Sequence, residues 1–320
     1  MQQPRNTPTP ASRPGLSRRS ALKLLLGAGA ATLALKSPGV ASAGAAQLER
    51  VIPRARETLP AVGLGTARAF DVGTSAKARA PLKEVLRSFV ALGGSTIDTS
   101  PMYGNAETVI GDLTAQLGVR PSLFLATKVW TRGRESGIRQ MERSMQRLRT
   151  DRIELMQVHN LVDWRTQLDT LRQWKSAGRI RYLGVTHYRV DAFDDLERLI
   201  KTEGLDFVQL NYSIATREAE LRLLPLSRDA GTAVLVNRPF EAGFLFRAVR
   251  GKPVPSWAAE FDCQSWGQFF LKYVLSEPAV TCVIPATSKP QHLADNMGAG
   301  RGRLPAARMR KRMWQYLEQL

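Results

Sequence analysis

Short apolar runs recur along the chain, with amphipathic stretches between them. They fall at 61–66 (AVGLGT), 95–99 (STIDT), 123–128 (LFLATK), 153–159 (IELMQVH), 180–186 (IRYLGVT), 207–211 (FVQLN), 233–237 (AVLVN) and 281–286 (TCVIPA). Their hydrophobicity is near-continuous rather than alternating, as strands buried on both faces require. The stretches between them carry helical spacing: Leu82, Val85, Leu86 and Phe89, then Ile138, Met141, Met145 and Leu148, then Phe193, Leu196, Leu199 and Ile200. Each reads as a helix with one apolar face. Eight strand–helix units within about 250 residues predict an α/β protein with a closed parallel (β/α)8 TIM barrel, rather than an open doubly wound sheet of about six strands. Gly63-Leu64-Gly65 opens no dinucleotide fingerprint, because no third glycine follows and no helix starts there.

In such a barrel the chemistry sits where strands run out into helices. Asp98 closes the second predicted strand, Lys128 the third and His159 the fourth, and Tyr103 follows five residues after Asp98. A phenol with an ordinary pKa of about 10 gives up a proton near neutral pH only if a nearby cation favours the phenolate. Lys128 is placed to be that cation. A buried lysine needs a carboxylate to keep its charge, and Asp98 on the neighbouring strand supplies one. His159 can donate a hydrogen bond to a carbonyl oxygen as negative charge develops there. Singly, these residues also read as a helix cap, a rim packer, a solvated strand end and a satisfied core histidine. Together at consecutive strand ends they make a proton-donating cluster with Tyr103 as general acid.

The chain has 320 residues, 43% of them hydrophobic, and a formal net charge of +18. Six of those charges, Arg5, Arg13, Arg18, Arg19, Lys23 and Lys36, lie in residues 1–46 with no acid among them. The remainder are scattered, densest at Arg301, Arg303, Arg308, Arg310, Lys311 and Arg312. No aromatic-interleaved basic strand marks a nucleic-acid platform, so a solvated basic face or a coenzyme-phosphate field is expected, with an anionic partner of the C-terminal stretch as the alternative. The two cysteines, Cys263 and Cys282, lie in different predicted elements and argue against a disulfide framework or a cysteine metal site.

Ser17-Arg18-Arg19-Ser20-Ala21-Leu22-Lys23 precedes a mild apolar run, 24–35, and then Ala41-Ser42-Ala43, a small-x-small cleavage pattern. This resembles a twin-arginine export signal, though without the bulky aromatic often found two places after the second arginine. It predicts passage through the twin-arginine translocase, a periplasmic or otherwise exported location, and a cofactor acquired before export. The apolar run is short of the roughly 20 residues that a stable membrane span needs. The expected organisation is a signal peptide over 1–46 cleaved near Ala43, a linker over 47–57, a barrel over 58–300 and a basic C-terminal helix over 301–320.

The segments 92–118 (LGGSTIDTSPMYGNAETVIGDLTAQLG), 126–130 (ATKVW), 152–160 (RIELMQVHN), 178–188 (GRIRYLGVTHY), 207–213 (FVQLNYS) and 283–296 (VIPATSKPQHLADN) together resemble the aldo-keto reductases over roughly residues 58–300. The resemblance places that family's catalytic tetrad on Asp98, Tyr103, Lys128 and His159. It implies hydride transfer between an aldehyde or ketone and an alcohol, with NADPH bound extended and with neither a Rossmann domain nor a metal. The family also contains cofactor-bound channel subunits, so an exported sensor or structural subunit with vestigial activity is the alternative.

Carried over position by position, the nicotinamide carboxamide contacts fall on Thr186, His187 and Gln209, with His187 where the family usually has asparagine. Asn237 stands where an aromatic commonly stacks under the nicotinamide, and Arg238 and Phe240 are expected near the pyrophosphate and ring. Thr287, Ser288 and Lys289 match the group that meets the 2′-phosphate, with His292 where arginine is frequent, and Asp295 and Asn296 match the adenine contacts. One certain cation there implies NADPH preference with weaker discrimination against NADH, at a helix start suited to phosphate. Phe70 and Trp130 are the expected apolar walls of the substrate pocket.

Overall fold

The structure, a computed structural model, describes residues 46–320. The expected export signal therefore lies, but for its last residue, outside the described residues. In chain order the elements are β1 (Glu49–Val51), β2 (Thr58–Pro60), β3 (Leu64–Gly65), α1 (Ala76–Ala91), β4 (Thr96–Asp98), α2 (Ala106–Leu117), β5 (Phe124–Val129), α3 (Arg134–Leu148), β6 (Ile153–His159) and α4 (Trp164–Ser176). There follow β7 (Ile180–Thr186), α5 (Phe193–Thr202), β8 (Phe207–Asn211), α6 (Leu223–Asp229), β9 (Ala233–Asn237), α7 (Phe244–Ala248), α8 (Trp266–Leu275), β10 (Val280–Val283), α9 (Pro290–Gly298) and α10 (Ala307–Glu318). Strands β3 to β10 are parallel and ordered as in the chain, which is the (β/α)8 barrel.

The first and last strands meet through two bridges, Val62 to Val283 and Gly65 to Ala286. Gly63 N donates to Val283 O at 2.8 Å and Val283 N to Ala61 O at 2.9 Å. The glycines of AVGLGT belong to this seam. A Cβ on Gly65 would stand 2.6 Å from Ile284 O, and one on Gly63 2.8 Å from Thr96 O. The seam is closed by backbone that only glycine lets approach.

Side chains alternate across each strand. Leu125, Val158, Val185 and Val208 join the large core between barrel and helices, while Phe124, Leu155, Tyr182 and Phe207 pack in the barrel interior. Further toward the C-terminal ends the inward positions turn polar and hold the site. Residues 47–57 are not the linker expected from sequence. They contain β1, which pairs antiparallel with β2 and seats Ile52 and Leu59 against the interior cluster. Three-residue strands are too short to show a periodicity, and the apolar interior supplies the reason for the pairing.

Half of the six basic residues of the C-terminal stretch, Arg303, Arg310 and Arg312, are ion-paired. Arg310 bonds Glu220 at 2.7 Å and Glu277 at 3.1 Å, and Arg303 bonds Asp262 at 2.7 Å. Burial of Met313 and the half-buried Arg310 clamp α10 to the body. Among the described residues no helix is long and apolar enough to cross a membrane.

Candidate active site

The end of β4 and the turn after it supply two of the four reactive side chains, and the ends of β5 and β6 supply the others. Lys128 Nζ donates to Asp98 Oδ2 at 2.7 Å and to Thr99 O at 2.7 Å. The Lys128 side chain has no exposed surface and that of Asp98 retains 4%. The ammonium lies 5.1 Å from the centre of the Tyr103 ring, and Tyr103 meets His159 edge-on with ring centres 6.0 Å apart. The four residues predicted from strand ends are therefore brought together.

Burial pulls the Lys128 pKa down, but Asp98 and then Tyr103 outweigh it, so the ammonium is held above its ordinary value. Burial is also the largest influence on Tyr103 and raises its pKa. The pull of Lys128 acts downward as expected but does not prevail, and Asp98 adds to the rise. This corrects the expectation that the lysine lowers the phenol overall: in the structure Tyr103 is a fully loaded acid. Burial, then Lys128 and His187, push His159 down to about 2. Its imidazole is neutral throughout the physiological range.

A hydrogen-bonded network not foreseen from sequence surrounds Asp98. Its Oδ1 accepts from Gln209 Nε2 at 2.8 Å and Gln157 Nε2 at 3.3 Å, and its backbone carbonyl accepts from Thr66 Oγ1 at 2.9 Å. Gln209 Nε2 also donates to Gln157 Oε1 at 3.3 Å, while Gln209 Oε1 accepts from Thr186 Oγ1 at 3.2 Å and Asn237 Nδ2 at 3.3 Å. Gln209, expected at the nicotinamide carboxamide, is thus committed at both ends to the protein. Gln157 was legible in principle, since it lies two residues before His159 on the same strand face. Ser100, whose Oγ is 3.1 Å from His159 Nδ1, carried no signal beyond its place between Asp98 and Tyr103.

Around the mouth, the His187 ring stacks on Tyr188 at 5.7 Å and 4°, and its Nδ1 accepts from Arg189 N at 3.2 Å. Arg238, in the left-handed region at φ 53°, lies 5.5 Å from the Tyr188 ring on the other loop and has no ion pair among the described residues. Asn237 bonds Gln209 through Nδ2, and its Oδ1 is buried without a partner among the described residues. Phe240 packs into an aromatic cluster with Phe246 and Phe270 at 4.8 and 6.5 Å. Phe70 is fully buried in the core and offers no wall to the mouth. Both aromatics were expected near ligand; burial of its apolar area has drawn Phe70 inward, whereas Phe240 stays partly exposed. Trp130 remains 41% exposed on the rim, joined by Met102 and Tyr188.

The residues expected at the 2′-phosphate gather at the start of α9, where Lys289 precedes Pro290. Thr287 Oγ1 accepts from Lys289 N at 3.1 Å, shaping the turn, while Ser288, Lys289 and His292 stay exposed. Asp295 accepts from Ser265 Oγ at 2.7 Å and Gln268 Nε2 at 2.9 Å, so it braces the start of α8. Asn296 is buried beside it. An exposed cation and a hydroxyl at a helix start, next to a mouth with a neutral histidine and a loaded phenol, fit a phosphorylated nicotinamide cofactor. A separate hollow of about 820 Å³ is lined by Arg120, Glu142, Arg149 and Arg179, away from these residues, and those arginines are already paired with acids.

Residues 61–312 match the model of the aldo/keto reductase family. The chain belongs to the aldo/keto reductase family. It is an oxidoreductase by that membership. The methylglyoxal reductase YeaE of Escherichia coli (strain K12) is 30% identical over 246 residues, spanning 75% of this reductase and 84% of the relative. An NADH-specific methylglyoxal reductase of the same organism is 32% identical over 198 residues, covering 52% of this chain and 58% of its own. An aldo/keto reductase from Klebsiella pneumoniae, solved with NADP and acetate, superposes with a TM-score of 0.70 at 24% identity, over 85% of this reductase and 96% of that chain. The structural likeness bears on the fold, and the family model and the YeaE relative establish the membership.

Proposed function

We propose that this aldo/keto reductase uses NADPH to reduce aldehydes or ketones to alcohols, with Tyr103 as the general acid. The observation that carries the reading is the buried Lys128–Asp98 pair beside a protonated Tyr103 and a neutral His159. When bound, the nicotinamide supplies a hydride to the carbonyl carbon. The residues of this chain do the rest. His159 orients the carbonyl oxygen and stabilises negative charge on it. An alkoxide is a far stronger base than a phenolate, so Tyr103 gives its proton to the forming alkoxide even with a raised pKa. Lys128 then stabilises the phenolate left behind, and Asp98 keeps that lysine charged and aimed.

Lys289, Ser288 and the start of α9 are the proposed 2′-phosphate site, and Thr186 and His187 are the proposed contacts at the nicotinamide end. The relatives named as methylglyoxal reductases make small reactive aldehydes the first substrates to try. The apolar rim of Met102, Trp130 and Tyr188 suits a carbonyl compound with an apolar body. Export through the twin-arginine pathway is part of the proposal, supported by Ser17–Lys23 and Ala41–Ala43. Mass spectrometry of the native protein checks it: a mature chain beginning near Gly44 is expected, and an intact N-terminus in the cytoplasm refutes export.

The enzymatic reading is tested by stopped-flow oxidation of bound NADPH with a panel of aldehydes that includes methylglyoxal. Rates well above spontaneous decay are expected for at least one. Decay no faster than the blank across the panel refutes the reductase and leaves the cofactor-bound sensor. Tyr103→Phe is expected to abolish reduction with NADPH affinity nearly unchanged, and full activity in that variant removes Tyr103 from the mechanism.

A further inference from the structure

The hydroxyl of Ser100 lies inside the barrel mouth, next to the tetrad but outside it. Its Oγ is 3.1 Å from His159 Nδ1 and accepts from Met102 N at 3.3 Å. Among the described residues it has no other hydrogen-bond neighbour, and Ser100 has no exposed surface. Its hydrogen therefore cannot go to water.

Hydrogen-bond completeness decides the rest. A serine hydroxyl has one hydrogen and two lone pairs, and a neutral imidazole has one N–H and one acceptor nitrogen. If Nδ1 carried the imidazole hydrogen, Ser100 would accept twice and its own hydrogen would be buried with no acceptor, which folded proteins avoid. If Ser100 donates to Nδ1, every hydrogen is placed and the imidazole hydrogen sits on Nε2. That nitrogen has no partner among the described residues, and His159 as a whole keeps 6% of its surface exposed. Nor can the ring hold both hydrogens, since an Nδ1–H would strand the Ser100 hydrogen in the same way, and burial also disfavours the charged ring.

We propose that Ser100 is a positioning residue that locks His159 in the tautomer protonated on Nε2, so that the ring offers a hydrogen-bond donor to the substrate carbonyl. The consequence for catalysis rests on the reductase reading, whereas the tautomer rests on the hydrogen bonds alone. A single short segment then organises the site. Asp98 holds the lysine, Thr99 O accepts its second hydrogen bond, Ser100 sets the histidine and Tyr103 carries the proton, with Tyr103 N donating to Ser100 O at 3.0 Å to close the turn.

The test is 15N NMR of the full chain labelled at its histidines. Only three histidines are present, so the His159 signals are assigned by their loss in His159→Gln. In the wild type a one-bond proton coupling is expected at Nε2 and none at Nδ1. Ser100→Ala is expected to populate both tautomers and to lower kcat about tenfold with NADPH affinity unchanged, because the Nδ1–H form turns a lone pair toward the carbonyl. Ser100→Thr, which keeps the hydroxyl, is expected to restore the single tautomer and the rate. A wild-type ring protonated on Nδ1, or an unchanged Nε2–H spectrum in Ser100→Ala, overturns the proposal. The spectrum needs no turnover, so an inactive protein with a tautomer that follows Ser100 overturns the reductase reading and supports this one.

Discussion

Replacing Asp98 by asparagine keeps the shape of the side chain and exchanges the oxygen that faces Lys128 for an amide nitrogen. Oδ1 still accepts from Gln209 and Gln157, so the network is preserved on that side. On the other side an NH2 group now meets the ammonium, and a lysine with no exposed surface has lost its counter-ion. Removing one partner of a buried ion pair costs about 3–5 kcal/mol. In the wild type the Lys128 pKa is raised, so its contribution is complete below the unfolded value of about 10.5 and is lost only as pH rises through the folded value. In Asp98→Asn burial acts without its main opponent and the folded pKa drops below the unfolded one. The unfolded chain then binds more protons between those two values, and the variant gains stability with rising pH by up to about 1.4 kcal/mol per unit. Denaturant unfolding of both proteins at pH 7, 8.5 and 10 measures this. The expected result is a deficit of about 3–5 kcal/mol at pH 7 that narrows toward pH 10. A deficit below about 1 kcal/mol at pH 7, or parallel pH profiles, refutes the claim that Asp98 is what keeps Lys128 charged.

Three further outcomes are expected. His159 has a folded pKa of about 2 against about 6.5 unfolded, so its contribution is complete above pH 6.5 and falls as pH drops, by about 2 kcal/mol at pH 5; His159→Gln should flatten that part of the stability profile, and equal slopes in the two proteins refute it. Gly65→Ala puts a Cβ 2.6 Å from a backbone oxygen across the barrel seam and should cost about 1–3 kcal/mol, whereas Gly73→Ala meets nothing within 4 Å and should be near neutral. If the two alanine variants unfold at the same denaturant concentration, the seam is not as tight as described. Lys289→Ala should weaken NADPH about tenfold more than NADH, the loss of a charge-assisted contact; isothermal titration showing equal losses would place the 2′-phosphate elsewhere.

The barrel and the tetrad were legible for a shared reason. A strand buried on both faces must be apolar nearly throughout, so its polar last residue stands out, and Asp98 and His159 stand out in that way. The helix start after β10 was legible because a helix start after a strand is a local feature. Less legible were the partners that some of these side chains take up, since neighbours from distant elements decide them. Phe240 and Asp295 occupy the aligned positions, but one joins Phe246 and Phe270 and the other caps α8 through Ser265.

The amino-acid sequence by itself determined the succession of eight strand–helix units, the residues at their C-terminal ends and so the chemical class of the site. Only the tertiary structure decided how those residues are tuned. Asp98 takes its hydrogen bonds from Gln157 and Gln209, 59 and 111 residues further along the chain, and no local pattern links them. The seam glycines, the Ile52–Leu59 floor and the raised pKa of Tyr103 are of the same kind. Hydrophobic periodicity records which face of an element is buried, but hydrogen-bond partners and desolvation are set by groups that meet only when the barrel closes.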